Sequence, residues 1–318
     1  MKNKINDHIN SINSLQLFGL DSYFNNFVDL YKKNKFPKVS LFSGNKGIGK
    51  FTLTFHLVNY FLSKDLENPY DIKNKTINKN NFIYKQILSN ISQNFIYISN
   101  ENQSKTSIEQ IREIKKTLNN STLNNAERFI IFDDVELLNI NSANSLLKII
   151  EEPSDTNFFI LINNKRAPVI ETIKSRSIET NFFLNEKDKE KIFFNLLNLN
   201  PLNENFSHQY IKYTTPGLLY KFSEIINENN IQIESEFSEI VSFSLEKFKK
   251  TKNELFLDFI KFFLEIKSEK INITNSVKFL NSVNEKNNLM RLLYKYKKFN
   301  LTNNVVLNFI KKTTNYYA

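Results

Sequence analysis

Three of the chain's five glycines fall inside one short run, Ser43-Gly44-Asn45-Lys46-Gly47-Ile48-Gly49-Lys50. Glycines at Gly44 and Gly49, followed at once by Lys50, let backbone N–H groups converge on phosphate oxygens while the lysine reaches the terminal phosphates. Such a loop works only where a strand runs into a helix. Val39-Ser40-Leu41-Phe42 before it is a β-prone run, and Phe51 to Leu62 after it has a helical pattern. The sequence therefore predicts a phosphate-binding loop in an α/β fold, with Gly44, Gly47, Gly49 and Lys50 as its nucleotide-contacting residues.

The flanking chain agrees with a parallel sheet. A helix is expected from Ser22 to Lys33 behind an Asp21 cap, and a second strand at Phe95-Ile96-Tyr97-Ile98. Ser107 to Leu118 reads as a capped helix with Ile108, Ile111 and Ile114 on one face. Phe129-Ile130-Ile131-Phe132 and Phe158-Phe159-Ile160-Leu161-Ile162 are continuously apolar, as strands covered on both faces must be. The helix Ser142 to Glu151 lies between them, and alternation of strand and helix implies a parallel arrangement. The Lys- and Asn-rich stretch from Ser63 to Asn94 reads as an exposed insertion. Beyond Phe183 strand patterns vanish and apolar residues recur at helical spacing, with breaks at Pro201, Pro216-Gly217 and Asn227-Glu228-Asn229-Asn230. Three parts are expected: an α/β domain over 1–183, a small helical domain over 184–228 and an all-helical domain over 229–318.

Two features weaken the reading of an active ATPase. The loop lysine should be followed by Ser or Thr, whose hydroxyl binds magnesium, but Phe51 stands there and Thr52 comes one place late. One helical residue rotates a side chain by roughly 100°, so Thr52 is expected to point away from the metal position. Asp133 and Asp134 close an apolar strand, where such folds hold the magnesium carboxylate; capping of the next turn is the plain alternative, and the loop beside them favours the site. An aspartate at 134 is a methylene shorter than the glutamate that would activate water, and proton abstraction depends on reach.

The chain has no cysteine, which excludes disulfides, thiolate metal sites and cysteine nucleophiles. No metal ligand set is assigned. Its net charge of +10 suits phosphate backbones, although the abundance of Lys, Asn, Ile and Phe would also follow from biased base composition. Arginine occurs only as Arg112, Arg128, Arg166, Arg176 and Arg291, so it is kept where a planar fork matters. No apolar run long enough for a membrane helix is present, and the start Met1-Lys2-Asn3-Lys4-Ile5-Asn6-Asp7-His8 lacks an apolar leader core, so a cytoplasmic protein is expected.

Several segments occur together in one order: Leu17-Phe18-Gly19, Gly44–Lys50, Ile108-Glu109-Gln110-Ile111-Arg112, Asn144 through Pro153, and Ile173-Lys174-Ser175-Arg176-Ser177. In this the chain resembles the clamp-loader subunits of bacterial DNA polymerase III, of the AAA+ class, closely over 15–183 and weakly at Thr215-Pro216-Gly217. The resemblance implies an AAA+ domain, a helical lid and a helical collar that assembles a heteropentamer. Within the family it is most similar to the delta-prime branch, which has a degenerate P-loop and does not hydrolyse ATP. The four-cysteine zinc module common in the family is absent, and Leu218 stands where a sensor arginine would follow Pro216-Gly217.

The resemblance further implies that Arg176 reaches a neighbouring subunit's ATP site as an arginine finger, where an ordinary surface salt bridge is the plain alternative. Asn163, ending a strand, matches the sensor position, although Asn164 is equally polar and Asn163 also suits a turn. The implied partners are gamma/tau and delta subunits, the sliding clamp and primed DNA, with no membrane. No cofactor is required, no independent ATPase is expected of this component of the polymerase (nucleotidyltransferase) holoenzyme, and the loop can hold ATP or ADP without turnover. The rival reading is an active gamma/tau-like motor ATPase that uses Thr52 for magnesium.

Overall fold

The computed structural model describes residues 15–99, 108–119, 126–199, 208–269 and 276–313. The chain forms two compact units, Met1–Pro201 with Thr215–Gly217, and Leu202–Thr214 with Leu218–Ala318. Met1 to His8 and the capping residue Ser107 lie outside the described residues.

In the first unit the order is α1 (Asp21–Lys32), β1 (Val39–Ser43), α2 (Lys50–Ser63), α3 (Phe82–Leu88), β2 (Phe95–Ser99), α4 (Ile108–Asn119), β3 (Arg128–Asp133), α5 (Ile140–Ile150), β4 (Asn157–Asn163), α6 (Glu171–Lys174), β5 (Ile178–Asn181) and α7 (Glu186–Leu199). The strands form one sheet in the order β2-β3-β4-β1-β5, with every pairing parallel. The continuous apolar runs are explained by the pleat, which sends alternate side chains to opposite faces. Phe129, Ile131, Phe158, Ile160 and Ile162 enter one core with residues of α1, α2 and α3. Ile130, Phe132, Phe159 and Leu161 enter the other with residues of α4 and α5.

Parallel pairing in this order puts the C-terminal ends of β1, β3 and β4 side by side: Ser43 pairs with Asn163, and Asp133 with Ile162. In open α/β sheets this edge, beside a change in strand order, is where ligands bind.

One strand is added and two local expectations are corrected. The fifth strand, β5, was not legible because it is an edge strand with an exposed side: Ile178 is 62% exposed and its neighbours are Glu179, Thr180 and Asn181. The stretch Ser63–Asn94 is not a solvated insertion, since Tyr70, Ile77, Ile83, Tyr84 and Ile87 belong to the core and Tyr70 stacks on Phe24 at 5.5 Å. Its apolar residues are spaced without a period among lysines and asparagines, so pattern alone misses them. Asp21 does not cap α1; Leu20 holds the cap position with φ 55°, and the Asp21 carboxylate pairs with Lys75 at 2.5 Å.

The second unit is helical. It contains α8, which begins in the first unit (Pro216–Asn229), then α9 (Phe237–Thr251), α10 (Leu255–Glu269), α11 (Ser276–Phe299) and α12 (Asn303–Thr313). Its core is aromatic, with Phe222 against Phe262 at 5.0 Å and Phe248 against Tyr296 at 5.9 Å. Among the described residues no helix is long and apolar enough to cross a membrane.

Candidate functional site

The predicted loop leaves β1 and enters α2 as expected. Gly44 N–H donates to the Asn163 carbonyl at 3.1 Å, and a Cβ on Gly44 would come within 2.9 Å of the Phe182 carbonyl oxygen. Gly49 caps α2 at φ +97°, a left-handed conformation that side chains resist. Lys50, only 3% exposed, folds back so that Nζ donates to the carbonyls of Gly44 at 2.7 Å and Asn45 at 2.9 Å. Burial pulls its pKa down to about 8, although Asp133, Glu136 and Asp134 oppose that shift by charge.

The acidic pair sits opposite. Asp133 ends β3 and Asp134 adopts φ 54°. The Tyr97 hydroxyl, from β2, donates to Asp133 Oδ2 at 3.1 Å. Asp133 Oδ1 accepts from Asp134 N–H at 2.9 Å and from Asn164 Nδ2 at 3.0 Å. The same Asn164 Nδ2 donates to Asp134 Oδ1 at 2.8 Å, and Arg166 Nε lies 3.7 Å from that oxygen. Burial, and then repulsion by Asp134, push the Asp133 pKa up to about 6 against the opposing effects of Tyr97 and Lys50. Burial also pushes Glu136 up to about 7; its Oε1 accepts from the backbone N–H groups of Asn164 at 3.0 Å and Arg166 at 3.3 Å.

At the metal-ligand position, Phe51 turns its ring edge onto Tyr97 at 4.9 Å and lies parallel to Phe55 at 6.3 Å. A magnesium ion needs oxygen ligands in octahedral array. Phe51 supplies none, and the Asp133 oxygens are engaged by Tyr97, Asn164 and a backbone amide. Phe51 therefore leaves the position of the usual hydroxyl ligand without an oxygen. Thr52 is half-buried one step along α2.

The two asparagines at the end of β4 divide the work. Asn163, the residue singled out by sequence, donates from Nδ2 to Ser43 Oγ at 3.1 Å and accepts from Lys165 N–H at 2.9 Å, tying β4 to β1. Its neighbour Asn164 is the one that reaches the acidic pair. Tyr97, Glu136 and Arg166 were not assigned from sequence; scarcity of arginine was the one available signal, and it marked Arg166 only as one of five.

Thr215 to Gly217 fasten onto the loop. Thr215 Oγ1 donates to the Lys46 carbonyl at 2.7 Å and Gly217 N–H to the Gly47 carbonyl at 3.0 Å. Arg176 follows α6 at the surface, where Nη2 and Nε meet Glu151 Oε1 at 2.8 and 3.0 Å and Nη1 donates to the Thr172 carbonyl at 3.3 Å.

Residues 19–185 match a family model described as "DNA polymerase III, delta subunit". A DNA polymerase III subunit gamma of Buchnera aphidicola subsp. Schizaphis graminum is 31% identical over 153 residues, covering 48% of this chain and 39% of that protein. A DNA polymerase III subunit delta' of Buchnera aphidicola subsp. Baizongia pistaciae is 34% identical over 84 residues, covering 26% of this chain and 25% of that protein. The chain thus spans well under half the length of either relative. A solved DNA polymerase III gamma subunit-related protein of Thermotoga maritima aligns with a TM-score of 0.42 at 19% identity, over 73% of this chain and 89% of that one.

Proposed function

The chain belongs to the DNA polymerase III delta-subunit family, and on that premise we propose that it is a delta-prime-like clamp-loader subunit that does not hydrolyse ATP and acts in trans through Arg176. The observation that carries this reading is the Phe51 ring packed on Tyr97, the residue that holds Asp133. A loop in that state keeps its fold while lacking a metal ligand, and the carboxylate that would hold the metal is committed to protein donors.

In this account the α/β domain over 1–183 is followed by a lid over 184–228 and a collar over 229–318 that joins gamma/tau and delta subunits in a heteropentamer. The assembly opens the sliding clamp and places it on primed DNA in the cytoplasm. Arg176 contributes charge stabilisation to a phosphoryl transfer in the neighbouring subunit. Its present partner, Glu151, is half-exposed, and an exposed ion pair of that kind contributes only about 0–1 kcal/mol, so exchanging it for a phosphate costs little. Lys50 and the loop amides could still hold ATP or ADP, without turnover.

One observation favours a second reading, an active gamma/tau-like motor using Thr52: the match to the Buchnera gamma subunit. A single pair of assays separates the two. The isolated chain is expected to show no magnesium-dependent ATP turnover, and appreciable turnover abolished by Lys50→Ala would establish the motor instead. In a reconstituted loader, Arg176→Ala is expected to cut turnover at the adjoining site on the order of 10³-fold with assembly intact. Unimpaired ATPase would remove the finger role.

A further inference from the structure

The last turns of α11 carry a feature that the nucleotide-binding fold does not use. From Arg291 to Phe299 the sequence Arg-Leu-Leu-Tyr-Lys-Tyr-Lys-Lys-Phe contains no acid. Leu293 and Tyr296 are buried, the Tyr296 hydroxyl donates to Asn303 Oδ1 at 2.8 Å, and Lys297 pairs with Glu254 at 2.6 Å. These contacts fix the helix by one face. The other face presents Arg291, Tyr294, Lys295, Lys298 and Phe299, all exposed, with Tyr294 64% and Phe299 61% accessible. The spacing i, i+3, i+4, i+7, i+8 sets them in one stripe roughly 12 Å long.

Within the stripe the Lys298 ammonium lies over both rings, 5.7 Å from the Tyr294 centroid and 5.5 Å from the Phe299 centroid. Three cations thus alternate with two aromatic faces on a rigid support. Exposed rings are stacking platforms for unpaired bases, and cations beside them meet the backbone phosphates. A basic protein partner would find no acid here. A duplex would use the cations but could not offer its bases to the rings.

We propose that this face of α11 binds single-stranded nucleic acid, with Tyr294 and Phe299 as base-stacking residues and Arg291, Lys295 and Lys298 as phosphate contacts. The assignment is independent of the loader role, because it concerns the isolated chain.

The test is fluorescence anisotropy of a short labelled oligothymidylate against the full chain, with a duplex of equal length as competitor. Tyr294→Ala with Phe299→Ala is expected to weaken single-strand binding on the order of 30- to 10⁴-fold and to leave duplex binding unchanged. Arg291→Gln with Lys295→Gln is expected to weaken both and to lower the slope of log affinity against log salt by roughly 1.4. Because all four positions are exposed, thermal melts should stay at the parent value and certify folding. Equal binding by parent and ring variants, no binding by the parent, or a duplex that competes as well as a single strand would each overturn the proposal. It is likewise overturned if these variants leave the oligonucleotide unaffected but stop the chain from associating with loader subunits, for the stripe is then a protein interface.

Discussion

Replacing Phe51 by threonine restores the hydroxyl that a working phosphate loop has at this place, yet the structure predicts loss of stability without gain of catalysis. Full removal of a buried phenylalanine ring costs about 3–5 kcal/mol, and Phe51 is half-buried, which halves this to roughly 1.5–2.5 kcal/mol. The edge-on contact with Tyr97 at 4.9 Å accounts for about 0.5–1.5 kcal/mol of such a pair's strength beyond burial. A net loss of about 3 kcal/mol corresponds to a fall in Tm of roughly 6–12 °C for a unit of this size. Calorimetry reads that directly. Titration with ATP and magnesium is expected to show no metal-dependent gain, because Tyr97 and Asn164 still occupy Asp133 and the short Asp134 is bound to Asn164. A melting temperature unchanged by the substitution would refute the packing argument, and magnesium-dependent turnover in Phe51→Thr would refute the claim that the carboxylates are committed.

Gly217→Ala would bring a Cβ within 2.7 Å of the Gly47 carbonyl oxygen, so denaturant unfolding should show a loss of about 1–3 kcal/mol. The raised carboxyl pKa values of Asp133 (about 6) and Glu136 (about 7) mean that the folded state holds protons more tightly than the unfolded chain. Their contribution to stability is therefore fully present below about pH 4 and is lost as pH rises to about 7; Glu136→Gln should flatten that decline in urea unfolding measured from pH 5 to 8. Arg176→Ala should change the melting temperature of the isolated chain by no more than about 1 kcal/mol in equivalent stability, a thermal shift experiment that separates its structural role from any role in a complex.

Legibility followed burial. β3 and β4 could be read from sequence because both faces are covered, which forces unbroken apolar runs such as Phe129-Ile130-Ile131-Phe132. β5 could not, since an exposed edge puts no such demand on Ile178-Glu179-Thr180-Asn181. Ser63–Asn94 misled for the converse reason: Tyr70 and Ile87 are core residues placed by tertiary packing without any local period. The course of the loop from β1 into α2, by contrast, was legible, because the left-handed turn at Gly49 and the close approach at Gly44 admit little but glycine.

What sequence alone determined is thus the α/β class, the phosphate-loop backbone with Lys50, the aspartates at a strand end and the missing hydroxyl at Phe51. What only the tertiary structure decided is which side chains meet beside the loop. Tyr97 on β2, Asp133 and Asp134 after β3, and Asn164 and Arg166 after β4 are far apart along the chain and meet because the parallel order β2-β3-β4 aligns their C-terminal ends. No local pattern records a contact of that kind: hydrogen bonds across neighbouring strand ends are set by register, and register is fixed by which faces the core buries.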